Sequence, residues 1–429
     1  MAIGTRVNGR VPERLPLSEI RLDSWEFWAL DDDIRDAAFA TLRQEAPISF
    51  HEEMELPGFP KGPGHWALVA YDDIWNASRH PQVFSSWPSI VIGDLPEAVA
   101  EFFGSMIALD DPRHFRMRSI VQKAFTPRVV AKVEDYVRAR ARRLVSEMVS
   151  QHPDGTCDLV KELSGPLPLQ VICDMMGIPE DDHTKIFAWT NVILGVGDED
   201  IVSGYDVFEQ ASNEMAAYGM ALAESRRCGP TEDLTTNLVQ ADVDGERLTD
   251  AEIASFFILL CTAGNETTRN AISHGVVALS RYPDEKATWF SDFDGHTRTA
   301  VEEIVRWASP VIYMRRRVTE DTELSGVKMA AGDKVTMWYC SANRDETKFA
   351  DPFRFDVTRD PNPQVGYGSG GPHFCLGANL ARREISMAFA EMHRQVPDLV
   401  AVEEPAILMS PFIHGVKRLA VAWDPERRS

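Results

Sequence analysis

Apolar side chains recur at helical spacing through most of residues 112–283, most clearly at residues 131–150 and 209–226. Shorter apolar segments typical of strands come before and after this region, at residues 65–70, 322–324, 327–329 and 334–337. No internal repeat or low-complexity linker separates these parts. The pattern therefore predicts that residues 1–429 form one domain, which is mainly α with a small β part.

The longest predicted helix begins after Thr249 and runs to Tyr282. Thr249 and Glu252 have the spacing of a capping box, and Pro283 ends the helical pattern. A helix rises about 1.5 Å per residue, so this one would be about 50 Å long and would cross the domain. Its first half is apolar on most sides, which predicts that it is buried.

A short polar group interrupts the apolar character of this helix, because Gly264, Glu266 and Thr267 follow Ala263. A solvated stretch on one helix face is the simpler interpretation. However, glycine in a helix interior costs roughly 1 kcal/mol relative to alanine, and a buried glutamate costs more unless it is hydrogen-bonded. In the functional interpretation, Ala263 and Gly264 let a ligand lie against the helix, while Thr267 and Glu266 handle protons.

The main chemical candidate is Cys375, which follows a glycine-rich loop and precedes a helix predicted from Leu376 to about Gln395. A helix N-terminus carries free N–H groups and roughly half a positive charge, so it favours a thiolate. The glycines of residues 368–377 leave room for a flat, bulky group against the loop backbone. A thiolate beside a planar group suggests the sulfur ligand of a haem iron.

Three other interpretations of Cys375 are open on these residues alone. It could be a buried structural cysteine, since free cysteines are often buried. It could be a catalytic nucleophile with His373 as its base, although nearness in sequence is weak support for such a pair. The glycines of residues 366–371 also match the spacing of a dinucleotide-binding loop, but that motif needs a preceding strand, and the proline-containing segment 360–363 stands there instead.

Composition and net charge argue against several classes of protein. The 429 residues carry a formal net charge of −22, which argues against nucleic acid and anionic membranes as partners of the whole molecule. The six cysteines show no pairing rhythm and no CxxC spacing, so neither a disulfide framework nor a zinc site is expected. No signal-peptide pattern is visible, and the longest apolar stretch, residues 253–263, is too short to span a bilayer. We therefore expect a cytoplasmic protein with no transmembrane segment.

Together, the cysteine loop and the polar group resemble the cytochrome P450 family of haem-thiolate monooxygenases. Further motifs of that family occur in its order, at residues 111–118, at Glu303-x-x-Arg306 and at residues 341–346. The resemblance covers roughly residues 65–420 and implies the cytochrome P450 fold, with the long helix lying over a haem. It also implies a structural ion-pair triad that supports the cysteine loop and consists of Glu303, Arg306 and Arg354.

The same resemblance implies the chemistry of the site. Cys375 would be the axial ligand of the iron of haem b, and O2 would be the co-substrate that supplies one oxygen atom to a C–H bond. Glu266 and Thr267 would be the catalytic pair that relays protons to oxygen. The residues expected to bind the cofactor are His114, Arg118, Ala263, Gly264, Arg316, Gly368, His373, Cys375 and Gly377.

One departure from the family pattern narrows the resemblance. Gly368 and Ser369 stand seven and six residues before Cys375, where the family usually has an aromatic residue and a glycine, and Tyr367 comes one residue earlier. This variant is similar to mycobacterial and other actinobacterial hydroxylases of methyl-branched lipids and of cholesterol or cholestenone side chains. The resemblance therefore implies terminal (omega) hydroxylation of such a substrate. The alternatives are hydroxylation of another hydrophobic molecule, such as a secondary metabolite or a steroid nucleus, and a haem-thiolate sensor or electron carrier.

A hydrophobic substrate requires an apolar pocket, for which the sequence offers several residues. The candidates are Ile90, Val91, Ile92, Phe102, Phe103, Met106, Leu194, Leu259, Leu260, Ala263, Val311 and Phe412. Electrons would come from a ferredoxin and its reductase, because no flavin or iron–sulfur domain fits in this chain. The basic residues expected to receive the ferredoxin are Arg113, Arg116, Lys123, Arg128, Arg382 and Arg383.

Overall fold

The computed structural model describes residues 3–4, 7–55, 61–94, 105–122, 127–195, 198, 200–201, 205–243 and 245–426. Phe102, Phe103 and Lys123, which the sequence analysis assigned to the substrate pocket and to partner binding, lie outside the described residues. Arg128 lies in a described helix, but its side chain is not among the described ones. That residues 1–429 form a single domain stays a prediction.

Helices make up the larger part of the described chain, as the sequence pattern predicts. The α-helices are Trp25–Trp28, Asp32–Glu45, Tyr71–Arg79, Arg113–Val121, Pro127–Gln151, Pro166–Met176, His183–Leu194, Tyr205–Cys228, Leu234–Gln240, Asp250–Arg281, Pro283–Ser291, Phe293–Ala308, Tyr339–Ala342 and Ala378–Gln395. Short 3-10 turns lie at Leu17–Glu19, Met106–Ala108 and Glu180–Asp182, and one π-helical turn lies at Val160–Ser164.

The largest sheet contains five strands, which are β1 (Ile48–His51), β2 (His65–Leu68), β3 (Phe84–Ser85), β7 (Tyr313–Val318) and β10 (Lys334–Trp338). Their order in the sheet is β1-β2-β10-β7-β3. The pairing of β10 with β2 is parallel and the other three pairings are antiparallel. The remaining strands are β4 (Thr156–Asp158), β5 (Asp242–Val243), β6 (Glu246–Arg247), β8 (Thr322–Leu324), β9 (Val327–Met329), β11 (Val400–Ala401), β12 (Ala406–Ile407), β13 (Val416–Arg418) and β14 (Ala420–Ala422). Antiparallel pairing joins β14 to β11 and to β4, β12 to β13, β5 to β6, and β8 to β9.

The central helix, Asp250–Arg281, has the capping box that the sequence predicts. The Thr249 side chain accepts a hydrogen bond from the backbone N–H of Glu252, and the Glu252 carboxylate accepts one from the N–H of Thr249. The helix is buried along most of its length because helices pack around it, among them Pro166–Met176, Tyr205–Cys228 and Phe293–Ala308. It therefore forms a fixed wall inside the molecule.

A large hydrophobic core and smaller ones hold the helices and strands together. The larger core surrounds the central helix and includes Phe256, Phe257 and Ile272. Smaller cores lie on the two faces of the five-stranded sheet, where the neighbouring residues Ala67 and Leu68 of β2 point to opposite faces. Among the described residues, no helix combines the length and the apolarity that a membrane crossing requires.

Candidate active site

A cavity separates the central helix from the cysteine loop, which we define as residues 366–377. It encloses about 1390 Å³ of empty space, counting its opening to solvent. Ala263, Gly264 and Thr267 line it from the central helix, and Cys375 lines it from the loop. The structure thus brings together two sequence features that lie about a hundred residues apart. We call this space the inner cavity.

A second cavity adjoins the first and encloses about 1650 Å³ of empty space, again counting its opening to solvent. We call it the outer cavity. Leu259, Ala263, Thr267, Val311 and Met314 line both cavities. Every described residue of the predicted substrate pocket lines one or both of them. Met106 and Leu260 line the inner cavity, and those that line the outer one are Ile90, Val91, Ile92, Leu194, Leu259, Ala263, Val311 and Phe412.

The cysteine loop has a compact fold that presents the Cys375 side chain to the inner cavity. The Cys375 N–H donates to the carbonyl of Tyr367 at 2.9 Å, which closes the loop on itself. Gly371 has a φ of +77°, and a Cβ at this position would lie 2.2 Å from the carbonyl oxygen of Ser78. This glycine is therefore needed so that the loop can rest on the helix Tyr71–Arg79, whereas the space around Gly377 is open to the cavity.

The electrostatics of Cys375 differ from the sequence expectation of a preformed thiolate. Burial raises the pKa of this thiol, and this effect exceeds the opposing effects of the N–H groups of Gly377 and Ala378 and of the Arg118 charge. The side chain has accessible surface because it faces the inner cavity. The helix N-terminus lowers the cost of a negative sulfur but does not cancel the loss of hydration. A positive group in the cavity would add to the stabilisation of a Cys375 thiolate.

Basic side chains from three distant segments meet at one side of the inner cavity. Arg118, Arg316 and His373 line it, and the imidazole rings of His114 and His373 lie 4.2 Å apart between centroids. His114 does not itself line the cavity. Burial lowers the pKa of His114, and burial together with the Arg316 charge lowers that of His373 to about 2. Both rings are therefore neutral at pH 7 and act as hydrogen-bonding groups.

These residues fit a flat group that carries a metal and carboxylates. Among the described residues, the Nε2 atom of His114 is buried and has no hydrogen-bonding partner, and the arginines Arg118 and Arg316 supply positive charge to an otherwise apolar space. Two carboxylates would satisfy these groups, and a metal that accepts sulfur would be held by Cys375. Haem has this combination of features, so the cavity fits haem.

Glu266 and Thr267 both line the outer cavity, and Thr267 also lines the inner one. The Thr267 hydroxyl donates to the carbonyl of Ala263 at 2.9 Å. Glu266 is buried, and its Oε1 accepts hydrogen bonds from Arg269 and Asn270. Its Oε2 has no partner in the described structure. Glu266 is thus a buried acid rather than part of a solvated helix face.

Gly264 lies in the wall of the inner cavity, where the sequence analysis expected it. A Cβ at this position would lie 2.8 Å from the Cδ1 of Ile172, which lines the same cavity. The missing side chain therefore also makes room for the neighbouring helix Pro166–Met176. The groove is formed by Ala263, whose small side chain is exposed to both cavities.

The predicted ion-pair triad exists, but its third member differs. Glu303 and Arg306 are fully buried and are joined by two hydrogen bonds of 2.7 Å. The arginine that completes the group is Arg359, whose Nε donates to Glu303 at 3.2 Å, and not Arg354. The Arg354 side chain is half exposed and pairs with Glu285, while its carbonyl accepts hydrogen bonds from Arg306 and Arg359. The prediction failed because the chain turns between residues 354 and 359 and brings the later arginine inward.

Asn343 links this triad to the cysteine loop. Its side-chain oxygen accepts a hydrogen bond from the N–H of Val365 at 2.8 Å, and its carbonyl accepts one from Arg306 at 2.8 Å. The triad therefore supports the segment that leads into the loop, in keeping with the structural role that the sequence suggested.

Three further residues of the inner cavity escaped the sequence analysis as site residues. Tyr367 lines it under the guanidinium of Arg382, which lies 4.3 Å above the ring, so it supplies an aromatic surface near the sulfur. Glu384 and Thr268 also line it, and burial raises the pKa of Glu384 to about 8. For Glu384, the sequence offered one signal, which was its spacing from Gly377, Leu380 and Ala381 along one helix face.

Three of the predicted partner-binding arginines pair with carboxylates. Arg116 pairs with Glu252 at 3.1 Å, Arg382 with Glu302, and Arg383 with Glu134 at 3.2 Å. Arg113 is exposed on the helix Arg113–Val121. The positive patch is therefore weaker than a count of basic residues suggests.

Comparisons with known proteins agree with this geometry. A model of the cytochrome P450 family matches residues 296–395. The methyl-branched lipid omega-hydroxylase of Mycobacterium tuberculosis is 66% identical over 422 residues, which cover 98% of this chain and 99% of that protein. The steroid C26-monooxygenase of Mycolicibacterium smegmatis is 39% identical over 392 residues, covering 90% of this chain and 89% of that protein. The solved structure of Mycobacterium marinum cytochrome P450 CYP268A2 in complex with pseudoionone has a TM-score of 0.91 and 39% identity, and the match covers 95% of this chain and 99% of that one.

Proposed function

The chain belongs to the cytochrome P450 family, and from this premise we propose that it hydroxylates the terminal carbon of methyl-branched lipids. Membership makes it a monooxygenase that uses O2 at a haem iron. The observation that carries the substrate proposal is the outer cavity, which is large, nearly all apolar and adjoins the inner cavity, with which it shares lining residues. A long apolar chain can occupy such a space while its end approaches the Cys375 side.

The similarity to the methyl-branched lipid omega-hydroxylase supports the same substrate class. The match, 66% identical overall, extends over nearly the full length of both chains, so its range spans the cavity-lining segments. Branched aliphatic residues such as Ile90, Ile92 and Val311 line the outer cavity, and such side chains leave recesses between their methyl groups. A methyl-branched chain fills an irregular wall better than a straight chain, because each unfilled gap loses dispersion contacts.

We propose haem b as the cofactor, held by residues of both walls. Cys375 would ligate the iron, while Arg118, Arg316, His373 and His114 would bind the propionate carboxylates. When bound, the haem iron activates O2 so that one oxygen atom enters a C–H bond and the other leaves as water. Ala263 would lie against the haem and help to exclude water, since the lining around Ala263 is apolar.

Proton delivery is assigned to Glu266 and Thr267 in this proposal. The Thr267 hydroxyl holds its proton against the carbonyl of Ala263 and can turn it toward the inner cavity. The unpartnered Oε2 of Glu266 is the group that can resupply this proton from the outer cavity. Arg269 and Asn270 fix the other oxygen of Glu266 and so orient the carboxylate.

Electrons are proposed to arrive from a ferredoxin and its reductase on the side of the cysteine loop. Arg113 and Phe115 are exposed on the helix Arg113–Val121, and Arg118 of the same helix donates to the carbonyl of Phe374, next to Cys375. Docking near this helix would place an acidic donor close to the thiolate. Reduction rates should then fall as salt concentration rises, because salt screens the charge attraction.

Hydroxylation of a steroid side chain is the second candidate. It is favoured by the 39% identity to the steroid C26-monooxygenase and by the size of the outer cavity. Both candidates place a branched aliphatic terminus at the iron, and they differ in what fills the outer cavity.

The test is a reconstituted reaction with ferredoxin, reductase, NADPH and O2. A methyl-branched fatty acid, the straight-chain acid of equal carbon number and cholestenone are supplied separately, and products are identified by mass spectrometry. We expect terminal hydroxylation, with the branched acid having the highest kcat/KM. Faster turnover of cholestenone would favour the second candidate, and absence of any hydroxylated product would refute both.

A further inference from the structure

Residues 89–94 form one wall of the outer cavity without belonging to a helix or a strand. Ile90, Val91, Ile92 and Gly93 all line this cavity. An irregular segment has no backbone ladder of its own, so other groups must hold its N–H and C=O groups in place. What holds this segment therefore determines the shape of the cavity.

One arginine binds most of the carbonyls of this segment. The Nη1 atom of Arg315 lies 3.2 Å from the carbonyl oxygens of Val91 and Ile92 and 3.3 Å from that of Gly93. The same atom pairs with the Asp94 carboxylate at 2.8 Å, and the Arg315 backbone N–H donates to the carbonyl of Ile90 at 2.8 Å. Arg315 is fully buried, with 2% of its side chain exposed.

Two further buried side chains, those of Lys334 and Tyr313, bind the backbone of Ile92. The Lys334 ammonium donates to the Ile92 carbonyl at 3.2 Å and pairs with Asp94 at 2.6 Å. The Ile92 N–H donates to the Tyr313 hydroxyl at 3.0 Å. Lys334 is balanced by the buried carboxylate of Glu53 at 2.6 Å. The two cations therefore face two carboxylates, and both backbone groups of Ile92 are bound.

Arg315 acts on the cavity from behind this wall. Its neighbour Arg316 lies on the opposite face of β7 and lines the inner cavity, as alternation along a strand requires. Arg315 itself lines neither cavity. The Arg315 side chain therefore reaches the outer cavity through residues 91–93, whose carbonyls it binds and which line that cavity.

The free-energy cost of burying these charged groups favours a role for Arg315 other than stabilising the fold. Burying charged groups costs free energy that their attraction does not reliably recover, so a buried ion-pair network is weak evidence for stabilisation. Such networks are better attested as devices that fix one geometry among several. Here the geometry that is fixed is the backbone that carries three aliphatic side chains into the outer cavity.

We propose that Arg315 is a positioning residue for substrate selection: by holding the carbonyls of residues 90–93, it sets the wall of the outer cavity and thereby the chain shapes that the site accepts. This role rests on the hydroxylase function proposed above, which it deepens.

The first test measures the segment itself by hydrogen–deuterium exchange of the haem-loaded full chain. Arg315→Met removes the guanidinium but keeps an unbranched side chain. We expect amides of residues 89–94 to exchange at least about tenfold faster, as loss of a charge-assisted hydrogen bond implies. Arg43→Met is the matched control, because Arg43 is equally buried and paired with Glu346 at 2.9 Å but lines neither cavity.

The second test measures cavity shape without turnover. Straight and methyl-branched N-alkylimidazoles are titrated, with iron ligation by the imidazole read from the absorption spectrum. The ratio of their dissociation constants in the wild type should move toward one in Arg315→Met and stay unchanged in Arg43→Met. If Arg315→Met does not fold, Asp94→Asn serves instead, since Asp94 is partly exposed and lines neither cavity.

Unchanged exchange and an unchanged ratio in the Arg315 or Asp94 variant would overturn the positioning role. A lower melting temperature with both readouts intact would also overturn it, because a merely structural residue gives that result. Neither readout requires lipid turnover. A wild type that fails to hydroxylate lipids would therefore defeat the proposed function while these measurements still decide the role of Arg315.

Discussion

The imidazole rings of His114 and His373 lie 4.2 Å apart and tilted by 41°, although one belongs to the helix Arg113–Val121 and the other to the cysteine loop. His373 is further bound through its Nε2 to the Ser86 hydroxyl at 3.0 Å. The Nε2 of His114 is buried and has no partner in the described structure. The pair ties two walls of the inner cavity together and leaves one ring nitrogen for a ligand.

Replacing His114 by Phe should weaken haem retention while preserving the ring contact with His373. The variant keeps an aromatic ring but loses the Nε2 atom that we assign to a haem propionate. We expect transfer of haem to apomyoglobin to become several-fold faster. His80→Phe is the control, because the His80 ring is exposed and its Nδ1 lies 2.8 Å from the carbonyl oxygen of Asn76 in the adjoining helix. Equal transfer rates in the wild type and both variants would remove His114 from the haem site.

Replacing Thr267 by Val should uncouple oxygen consumption from product formation. Valine matches threonine in shape but cannot hold a proton, and losing a positioned proton donor typically costs roughly 100-fold in rate. We expect less hydroxylated product per NADPH consumed and more hydrogen peroxide. Thr262→Val is the control, since Thr262 makes the same type of hydrogen bond, to Ile258 at 2.7 Å, but does not line the inner cavity. A similar loss of coupling in both variants would contradict the proton role of Thr267.

Replacing Glu303 by Gln should destabilise the protein strongly. The change leaves the buried cations Arg306 and Arg359 without their carboxylate, and removing one partner of a buried pair costs about 3–5 kcal/mol. The measurement is the free energy of unfolding in urea. Arg298→Gln, which breaks the exposed pair with Asp360, should cost less than about 1 kcal/mol. Similar losses in the two variants would show that the triad is not a special support.

The Glu384 carboxyl should make stability depend on pH. Burial raises its pKa to about 8, so the folded state keeps this proton where an unfolded glutamate, with a pKa of about 4.3, has lost it. The stabilisation is full at low pH and is lost as pH rises from about 4 through 8. The free energy of unfolding of Glu384→Gln, relative to the wild type at the same pH, should therefore increase on the order of a few kcal/mol between pH 5 and pH 9. A difference that does not vary with pH would contradict a buried neutral acid.

Local patterns in the sequence were sufficient to predict most of the helices and strands. The capping box at Thr249, the end at Pro283 and the helical spacing of apolar residues predicted the central helix to within a residue or two. The strands Thr322–Leu324 and Val327–Met329 agree with their predicted ranges. These features depend on near neighbours in the chain, so a single sequence contains the information.

Errors arose where contacts join distant segments. Arg354 and Arg359 are both basic residues near the same turn, and only the folded backbone decides which one reaches Glu303. Gly264 lines the inner cavity as expected, but the sequence did not indicate that Ile172 of another helix packs against it. Neither fact has a local signal, because each depends on the relative placement of elements.

The sequence by itself determined the family resemblance, the cysteine at the start of its helix and the acid–alcohol pair in the middle of the central helix, since these are fixed by residue type and spacing. Only the tertiary structure decided that the Cys375 thiol has a raised pKa, that Tyr367 and Glu384 line the inner cavity, and that Arg315 holds the wall of the outer cavity. The physical reason is that burial, cavity shape and charge pairing depend on which distant segments enclose a group. Spacing along the chain brings residues to one face of an element, and packing of the elements determines what that face meets.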